Sequence, residues 1–333
     1  SYDGVAVRYG YDLCGNRLEK VDKNSKEVYN YNVRNQLLGR KSAEAETCYQ
    51  YDRQGNVLQA TGTEGGAQYN YNVFNQQIKV LKSDGNSLES QYDGEYLRAG
   101  TVENGKVLRF AYYKGELLAE LDAEQGLQGR YVPGYGMAAG WSQGSEGYYF
   151  YHLDEQKSTA YITGQMGNVV NRYQYDAFGQ TSSAEGFSNR ILYTGQQYDK
   201  ISGQYYLRAR FYNPSMGRFL QEDVYRGDGL NLYAYCVSNP VMYCDPSGLA
   251  KDGARGKQST TDLNNAIGAA AEYCGWEVTN GANGLTEEYF AGPNGGIKGS
   301  HRTDVTVRKT IDDQRASVRV NTTTDASNNI PDS

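Results

Sequence analysis

Tyrosines alternate with polar residues along the first quarter of the chain, and this alternation returns with a constant pitch. Pairs of tyrosines separated by one residue begin at twenty-residue intervals, at Tyr9, Tyr29, Tyr49 and Tyr69. Successive side chains of a β-strand point to opposite faces of the sheet, so both rings of a pair are expected on one face. The pattern therefore predicts a series of strands that each have one tyrosine-lined face.

Each tyrosine pair is followed by residues that favour a tight turn. An Asp or Asn comes next, and a Gly-Asn or Asn-Gln pair follows at a constant offset, beginning at Gly15, Asn35, Gly55 and Asn75. Glycine and asparagine tolerate positive φ, and Asp and Asn side chains accept hydrogen bonds within a turn. A short strand then returns, with apolar residues at Leu18, Leu37, Val57 and Ile78. Each unit is therefore predicted to be a β-hairpin.

The repeat continues along the chain. Tyr92 extends the series one residue late, and Tyr173-Gln-Tyr175-Asp176 restates it far downstream. A unit of this length cannot bury its apolar face alone, so neighbouring hairpins must pack side by side. We therefore expect a mostly β fold over residues 1–249, with the tyrosine pairs lining one face of a curving antiparallel sheet.

The composition agrees with such a sheet and excludes several kinds of site. The 333 residues include 32 Tyr, 40 Gly and only 6 Pro, and the mean hydropathy is −0.74. A net charge of −6 argues against a general nucleic-acid-binding surface. The five cysteines lack ligand-like spacing and are interpreted as small buried hydrophobes, and the two histidines exclude a multi-His metal site. No apolar run of about eighteen residues occurs, so no transmembrane segment is expected.

Residues 193–249 carry the most specific pattern. They read YTGQQYDKISGQYYLRARFYNPSMGRFLQEDVYRGDGLNLYAYCVSNPVMYCDPSGL. This segment closely resembles the core signature of Rhs/YD-repeat proteins, and the repeats before it resemble the same family. The resemblance implies a hollow, spiralling β-shell, here residues 1–192, that encloses a C-terminal cargo, as in bacterial polymorphic toxins and insecticidal toxin complexes. The segment departs from the family at Val224, where many relatives have proline.

The resemblance also implies that the chain cuts itself between Leu249 and Ala250 through an aspartyl-protease-like pair. Asp223 and Asp245 are the candidate carboxylates. This chemistry needs two carboxylates close enough to share one proton, so that one is a base toward water and the other an acid toward the carbonyl. Gly248 would let the backbone approach the pair without a Cβ clash.

Arginines in the same signature are expected to assist. Arg208, Arg210 and Arg218 could orient a carboxylate or polarise the scissile carbonyl, and Arg218 is assigned to the catalytic set. The alternative is that the two aspartates are ordinary turn residues, a role that Asp favours. Asp228 is the alternative to Asp223 as the first carboxylate.

The composition changes after Leu249. Residues 251–257 read as a polar linker, and residues 262–273 are expected to form a helix that begins after Ser259 or Thr261. Strands are expected at Trp276–Val278, Tyr289–Phe290, Asp304–Val307 and Val318–Val320. Residues 250–333 are therefore predicted to be a small α/β (α+β) domain. Because Ser1 lies within a repeat and Ser333 follows soon after a strand, we expect the chain to be a fragment, with this domain truncated.

Residues 250–333, the tail, resemble the layout of the restriction-endonuclease-like nuclease fold. The resemblance implies a divalent cation such as Mg²⁺ at Glu272 and Asp304, with Asn321 as a further ligand position. The basic residues of the preceding loop would contact phosphate; they are Lys298, His301 and Arg302. Asn321-Thr322-Thr323 replaces the acid-x-Lys element usual in that fold. The alternatives are that these residues are solvated helix, strand-end and loop positions, and that the tail is a deaminase, an ADP-ribosyltransferase or a peptidase.

The function that follows from these resemblances is a fragment of an Rhs-type toxin whose shell releases a metal-dependent nuclease by autoproteolysis. The implied partners are a cognate immunity protein, a secretion machinery and a nucleic acid substrate. The resemblance also implies a secreted or cell-surface-delivered effector that acts in the cytoplasm of a target cell. Two alternatives remain, a self-processing carrier of a non-nuclease toxin and a structural or adhesive surface protein.

Overall fold

The computed structural model describes residues 6–225 and 229–250, together with the backbone of five strands between residues 277 and 320. The chain divides into two compact units, Ser1–Lys251 and Asp252–Ser333. The first unit is built of antiparallel strands, and no α-helix occurs among its described residues. The mostly β architecture predicted from the repeat is therefore confirmed. Within the described ranges, no helix has the length and apolar character needed to cross a membrane.

One 18-stranded sheet contains the repeats, and each strand pairs antiparallel with the next along the chain. Its strands are β1 (Arg8–Tyr11), β2 (Arg17–Val21), β3 (Lys26–Tyr31), β4 (Leu37–Lys41), β5 (Glu46–Tyr51), β6 (Val57–Gly62), β7 (Gly65–Tyr71), β8 (Gln77–Lys82), β9 (Ser87–Tyr92), β10 (Arg98–Glu103), β11 (Lys106–Tyr113), β12 (Glu116–Leu121), β13 (Leu127–Gly134), β14 (Gly136–Ser142), β15 (Tyr149–Leu153), β16 (Thr159–Thr163), β17 (Val169–Tyr175) and β18 (Thr181–Glu185). Turns after odd-numbered strands lie at one edge of the sheet, which we call the first rim.

The turns of the first rim have the conformation predicted from their Gly and Asn residues. One repeat position has a positive φ in four successive turns, 76° at Gly15, 60° at Asn35, 88° at Gly55 and 61° at Asn75. The carboxylate of Asp12 accepts hydrogen bonds from the backbone N–H groups of Cys14 and Asn16 at 2.9 and 2.8 Å. The polar residue after each tyrosine pair therefore caps the turn, as expected for Asp and Asn.

The tyrosine pairs line one face of the sheet, as predicted. The first tyrosine is buried in the second, third and fourth pairs, at 6–7% exposure for Tyr29, Tyr49 and Tyr69. The hydroxyl of the second tyrosine donates to a backbone carbonyl of an earlier strand, from Tyr31 to Arg17 at 2.8 Å, from Tyr51 to Leu37 at 3.1 Å and from Tyr71 to Val57 at 3.0 Å. Phenylalanine could fill the same space but could not make this bond, which accounts for tyrosine at the second position.

The sheet curls until its first hairpin meets its last turn. The rings of Tyr9 and Phe178 pack edge to face with their centroids 5.1 Å apart. Lys20 Nζ lies 3.3 Å from Asp176 Oδ2. Hairpin β1–β2 therefore packs against the turn that follows β17, with the core segment (residues 193–249) against the buried face.

The core segment forms a second, smaller antiparallel sheet. Its strands are β19 (Gln197–Asp199), β20 (Gln204–Leu207), β21 (Arg210–Asn213) and β22 (Arg218–Phe219), with 3₁₀ turns at Tyr193–Gly195 and Cys236–Ser238. Its buried Tyr206, Phe211 and Leu220 pack with tyrosines of the first repeats. Its Tyr205, Tyr212 and Tyr235 pack with residues of the later strands. The core segment thus fills the interior that the curled sheet encloses.

The core segment also hydrogen-bonds to the first rim at the pitch of the repeat. Four of its side chains donate to the carbonyls of the four positive-φ residues, Ser238 to Gly15 at 3.1 Å, Arg218 to Asn35 at 2.9 Å, Tyr233 to Gly55 at 2.8 Å and Gln221 to Asn75 at 3.3 Å. Carbonyl groups that packing removes from solvent need such partners. Four donors of the core segment therefore each bond to the same position in four successive repeats.

A buried ion pair joins the same two parts. Arg98 of β10 contacts Asp199 of β19 through Nη1 and Oδ2 at 2.5 Å, with side-chain exposures of 0% and 1%. Arg190 lies 3.6 Å from Asp199 Oδ1 and 2.8 Å from Glu120 Oε1. Because both charges of the central pair are buried, removal of either one would leave an unpaired charge in the interior.

In the second unit the structure describes two small sheets. A three-stranded sheet contains β23 (Glu277–Asn280), β26 (Val305–Ile311) and β27 (Gln314–Val320), and a two-stranded sheet contains β24 (Glu288–Phe290) and β25 (His301–Thr303). Four of these strands overlap the four segments predicted as strands. The helix predicted over residues 262–273 lies outside the described residues.

Candidate self-cleavage site

The turn that precedes the predicted scissile bond is held by Asp245. Its Oδ1 accepts hydrogen bonds from the backbone N–H of Gly248 at 2.8 Å, and from the N–H and hydroxyl of Ser247 at 3.1 and 3.2 Å. Gly248 has a φ of 73°, and a Cβ there would lie 2.9 Å from the backbone nitrogen of Arg210. The Ser247 hydroxyl also accepts the N–H of Leu249 at 3.2 Å. Glycine is therefore required for the turn to pack against β21.

Asp223 is brought to the same place by a different part of the core segment. Its backbone N–H donates to the carbonyl of Leu232 at 3.0 Å. Its Oδ1 accepts the N–H of Tyr225 at 2.7 Å, and the residue is 7% exposed. The other oxygen, Oδ2, faces Arg210.

Arg210 connects the two carboxylates. Its Nη2 lies 2.6 Å from Asp223 Oδ2 and 3.7 Å from Asp245 Oδ2. Its Nε donates to the carbonyl of Gly248, and its guanidinium stacks on the ring of Phe219 at 3.6 Å. One planar, buried cation therefore holds both candidate carboxylates and the residue before Leu249, a geometry that suits the fork of an arginine.

The two carboxylates have different environments. Burial raises the pKa of Asp245 above its ordinary value, against the opposing effects of Arg210 and the hydrogen bonds from Gly248 and Ser247. Asp223 makes a short ion pair with Arg210. Of the two carboxyl groups, Asp245 is therefore the one whose raised pKa favours the protonated form.

The remaining arginines of the signature lie in different surroundings. Arg208 donates to the carbonyls of Pro246 and Gly115, and so supports the turn. Arg218 donates to Asn35 and Asn231, and its guanidinium makes no ion pair with Asp223 or Asp245, all of which the structure describes. The arginine that contacts both carboxylates is therefore Arg210, whereas the sequence assignment favoured Arg218.

Asp228, Glu272, Lys298, Asp304 and Asn321 lie outside the described residues. His301 and Arg302 belong to β25, of which only the backbone is described. Ala250 is described and half-buried. Among the residues whose side chains the structure describes, no group of three or more His, Cys, Asp or Glu residues could hold a metal ion.

Comparison with known proteins adds the family. The teneurin YD-shell family matches residues 2–241. The tRNA nuclease WapA of Bacillus subtilis (strain 168) is 32% identical over 262 residues, 74% of this chain and 11% of WapA. Double-stranded DNA deaminase toxin A of Burkholderia cenocepacia is 32% identical over 115 residues, 32% of this chain and 8% of that protein. Salivary gland surface protein 1 of Aedes aegypti is 36% identical over 105 residues, 30% of this chain and 3% of that protein.

A likeness to a solved structure accompanies these matches. The crystal structure of TcdB2-TccC3-Cdc42 gives a TM-score of 0.47 at 17% identity, over 74% of this chain and 17% of that one. The chain spans about a tenth of WapA, 11% of its length. Since the family match covers well over half of the chain, the resemblance read from the core signature is confirmed, and the chain belongs to the teneurin YD-shell family of Rhs/YD-repeat proteins.

Proposed function

We propose that the core segment cuts its own chain between Leu249 and Ala250, with Asp223 as the general base and Asp245 as the general acid. The observation that carries this proposal is the position of Arg210, which contacts both carboxylates and the Gly248 carbonyl. A turn aspartate needs no such partner. Two buried carboxylates on one guanidinium, beside a Gly-Leu segment, support a role in proton transfer.

The proposed reaction is hydrolysis of one peptide bond. Asp223 takes a proton from a water molecule as the water oxygen attacks the carbonyl carbon of Leu249. Asp245 gives its proton to the carbonyl oxygen. The attack and this proton transfer together produce a tetrahedral intermediate. The bond to the Ala250 nitrogen then breaks, that nitrogen receives the proton held by Asp223, and the hydroxyl of the intermediate returns its proton to Asp245. Both carboxyl groups end in their starting states.

Arg210 and Ser247 position the reacting groups in this proposal. Arg210 pairs with Asp223 and fixes the Gly248 carbonyl, so the next peptide unit is presented in one orientation. Ser247 bridges Asp245 and the N–H of Leu249, which fixes the acid relative to the scissile residue. Restricting both partners in this way lowers the entropic part of the barrier.

Intact-mass measurement of variants tests the proposed cleavage. Asp223→Asn and Asp245→Asn should each leave the chain uncut, because neither carboxylate can serve as both acid and base. Glu222→Gln is the matched control, since this neighbouring carboxylate pairs with Arg34 at 3.6 Å rather than with Arg210. Cleavage that continues in both Asn variants would rule out the proposed pair. Cleavage that needs Asp228 but not Asp223 would replace the base and keep the mechanism.

We further propose that the segment after Leu249 is the toxin of an Rhs-type polymorphic toxin and that it cuts nucleic acid with a divalent metal. WapA relatives from Bacillus are described as tRNA nucleases, and the Burkholderia relative as a double-stranded DNA deaminase toxin. Both descriptions support nucleic acid as the substrate class. Glu272, Asp304 and Asn321 would supply oxygen ligands to a hard cation such as Mg²⁺, and Lys298, His301 and Arg302 would face phosphate.

Expression in a bacterial cell tests the toxin proposal. The toxin domain, expressed in its complete form, should arrest growth and fragment DNA or RNA, and Asp304→Ala should abolish both effects by removing a metal ligand. Asp313→Ala is the control, at a nearby aspartate outside the proposed set of ligands. Growth arrest with unbroken nucleic acid that contains deaminated bases would exclude the nuclease and favour a deaminase. In this account the toxin is secreted, acts in the target-cell cytoplasm, and requires an immunity protein and a secretion machinery as partners.

A surface role is the second candidate function. It is favoured by the match to a salivary gland surface protein, which covers 30% of this chain. That role predicts a chain that stays intact at Leu249 and a tail with no effect on cells, so the two experiments above separate it from the toxin.

A further inference from the structure

Arg17 and Arg218 are two buried cations without a carboxylate partner in the part of the chain that the structure describes. Each is only 5% exposed. The other well-buried arginines pair with aspartate, Arg98 with Asp199 and Arg210 with Asp223. Since a buried charge is costly unless it is paired, these two guanidinium groups need another source of negative charge.

Aromatic rings cover the planes of both guanidinium groups, but some N–H donors at the edges of these groups have no hydrogen-bond acceptor. Arg17 lies 4.0 Å above the ring centroid of Phe178, and Arg218 lies 4.8 Å above that of Tyr31. A stacked ring stabilises the positive charge at the flat face of the guanidinium. It does not accept hydrogen bonds from the N–H donors, which point outward in the plane of the group. Four of these nitrogens have no hydrogen-bond acceptor, Nε and Nη2 of Arg17 and Nε and Nη1 of Arg218.

The two arginines line one recess between the first hairpin and the core segment. The free space in the recess, about 10 Å³, corresponds to about one water-sized sphere, and Asn16, Asn231 and Ser238 are among the polar residues that line it. These groups already bond to one another or to the turn, since Asn231 donates to Asn16 at 2.8 Å and Ser238 to the Gly15 carbonyl. None of them brings a negative charge.

Nearby acidic groups do not form ion pairs with these two arginines. Asp12, in the first turn, accepts hydrogen bonds from its own turn and makes no ion pair with either arginine, and the charge of Arg218 acts on its pKa only as the last of several effects. The phenol of Tyr31 stays neutral at neutral pH, because burial raises its pKa. The pKa of Arg218 is lowered, chiefly by burial and also by the charge of Arg17. The recess therefore has two positive charges and unused donors on both sides.

We propose that this recess binds one small inorganic anion, of the size of chloride, between Arg17 and Arg218. Such an anion would neutralise the buried charges and accept hydrogen bonds from the in-plane N–H donors that have no acceptor in the protein. Because the free space in the recess corresponds to about one water-sized sphere, a small spherical ion fits this position better than a phosphate. Because Arg17 belongs to β2 and Arg218 to β22, the anion would fasten the first hairpin to the core segment.

Thermal unfolding of the whole chain tests this proposal. The midpoint should rise with chloride concentration when ionic strength is held constant with sodium gluconate, whose anion is too large for the recess. The expected rise is about 3–5 °C per tenfold increase once chloride exceeds its dissociation constant. Arg218→Met should abolish the chloride dependence. Arg34→Met, at an arginine whose side chain is 54% exposed, is the matched control and should keep it.

Diffraction from crystals soaked in bromide gives a second test that needs no variant. An anomalous peak between the Arg17 and Arg218 guanidinium groups, together with the chloride-dependent midpoint, would support the site. A peak without chloride dependence would mark an adventitious ion only and would overturn the proposal. A midpoint equal in chloride and gluconate, with no peak in the recess, would also overturn it.

Discussion

The Nη2 atom of Arg210 lies 2.6 Å from the Oδ2 atom of Asp223, and this buried contact organises the candidate cleavage site. Arg210→Lys should keep the charge but lose the fork that also reaches Asp245 and the Gly248 carbonyl. We expect cleavage to slow on the order of a hundredfold, the cost of a misplacement of about 1 Å. Time courses of intact mass measure this. An Arg210→Lys chain that cleaves at the parental rate would remove Arg210 from the mechanism.

The pH dependence of cleavage should report the raised pKa of Asp245. As the acid, Asp245 must be protonated, so the rate should fall as pH rises through its pKa, which burial raises above the ordinary value. As the base, Asp223 must be ionised, so the rate should also fall at low pH. Quenched time courses over a range of pH should give a bell-shaped profile. A rate that rises steadily toward alkaline pH would contradict these roles.

Removal of one member of the Arg98–Asp199 pair should destabilise the first unit strongly. Both side chains are buried, and Arg98→Met leaves the Asp199 charge unpaired except for the longer contact with Arg190. We expect a loss of about 3–5 kcal/mol in the free energy of unfolding, measured by denaturant titration. Lys41→Met is the control, because the Lys41–Glu46 pair is exposed and should contribute no measurable amount.

The bond from Tyr233 to the Gly55 carbonyl tests how the core segment is held at the first rim. Tyr233→Phe removes a hydroxyl that donates to Gly55 at 2.8 Å and accepts from Gln36 at 3.2 Å. We expect a loss of about 1–2 kcal/mol, because buried polar groups are left unpaired. Tyr96→Phe, at a residue 56% exposed, should have no effect. Equal stability of the two variants would contradict this account of the rim.

Alkaline unfolding should follow the buried tyrosines. Burial raises the pKa of Tyr49 from 10.0 to about 12. The unfolded chain releases this proton near the ordinary value while the folded chain retains it, so the stabilisation is complete below that value. It is lost as pH rises from there to about 12. Ultraviolet titration should show tyrosines that ionise only on unfolding, whereas normal titration of every tyrosine in the folded chain would contradict the burial.

The repeat made much of the fold predictable. Tyrosine pairs, turn residues and pitch are local features, so strand, turn and face assignments follow from side-chain alternation and backbone preference. The contact of Arg210 with both carboxylates depends instead on how a turn at Asp245 folds back onto β21. Of the three arginines in the signature, spacing alone could not show which one is placed there. Arg17 and Arg218, which lack a carboxylate partner among the described residues, are 201 positions apart and left no signal in the sequence.

Cleavage in water enriched in heavy oxygen tests the central claim most directly. The chain is kept uncut until transfer to this water, and both products are then identified by mass. The account predicts a fragment that ends at Leu249 with one heavy oxygen in its new carboxylate, and a second fragment that begins at Ala250 without it. Asp223→Asn and Asp245→Asn should yield neither fragment. A break at the acid-labile Asp245–Pro246 bond, or a Leu249 carboxylate without heavy oxygen, would contradict hydrolysis by this pair of carboxylates.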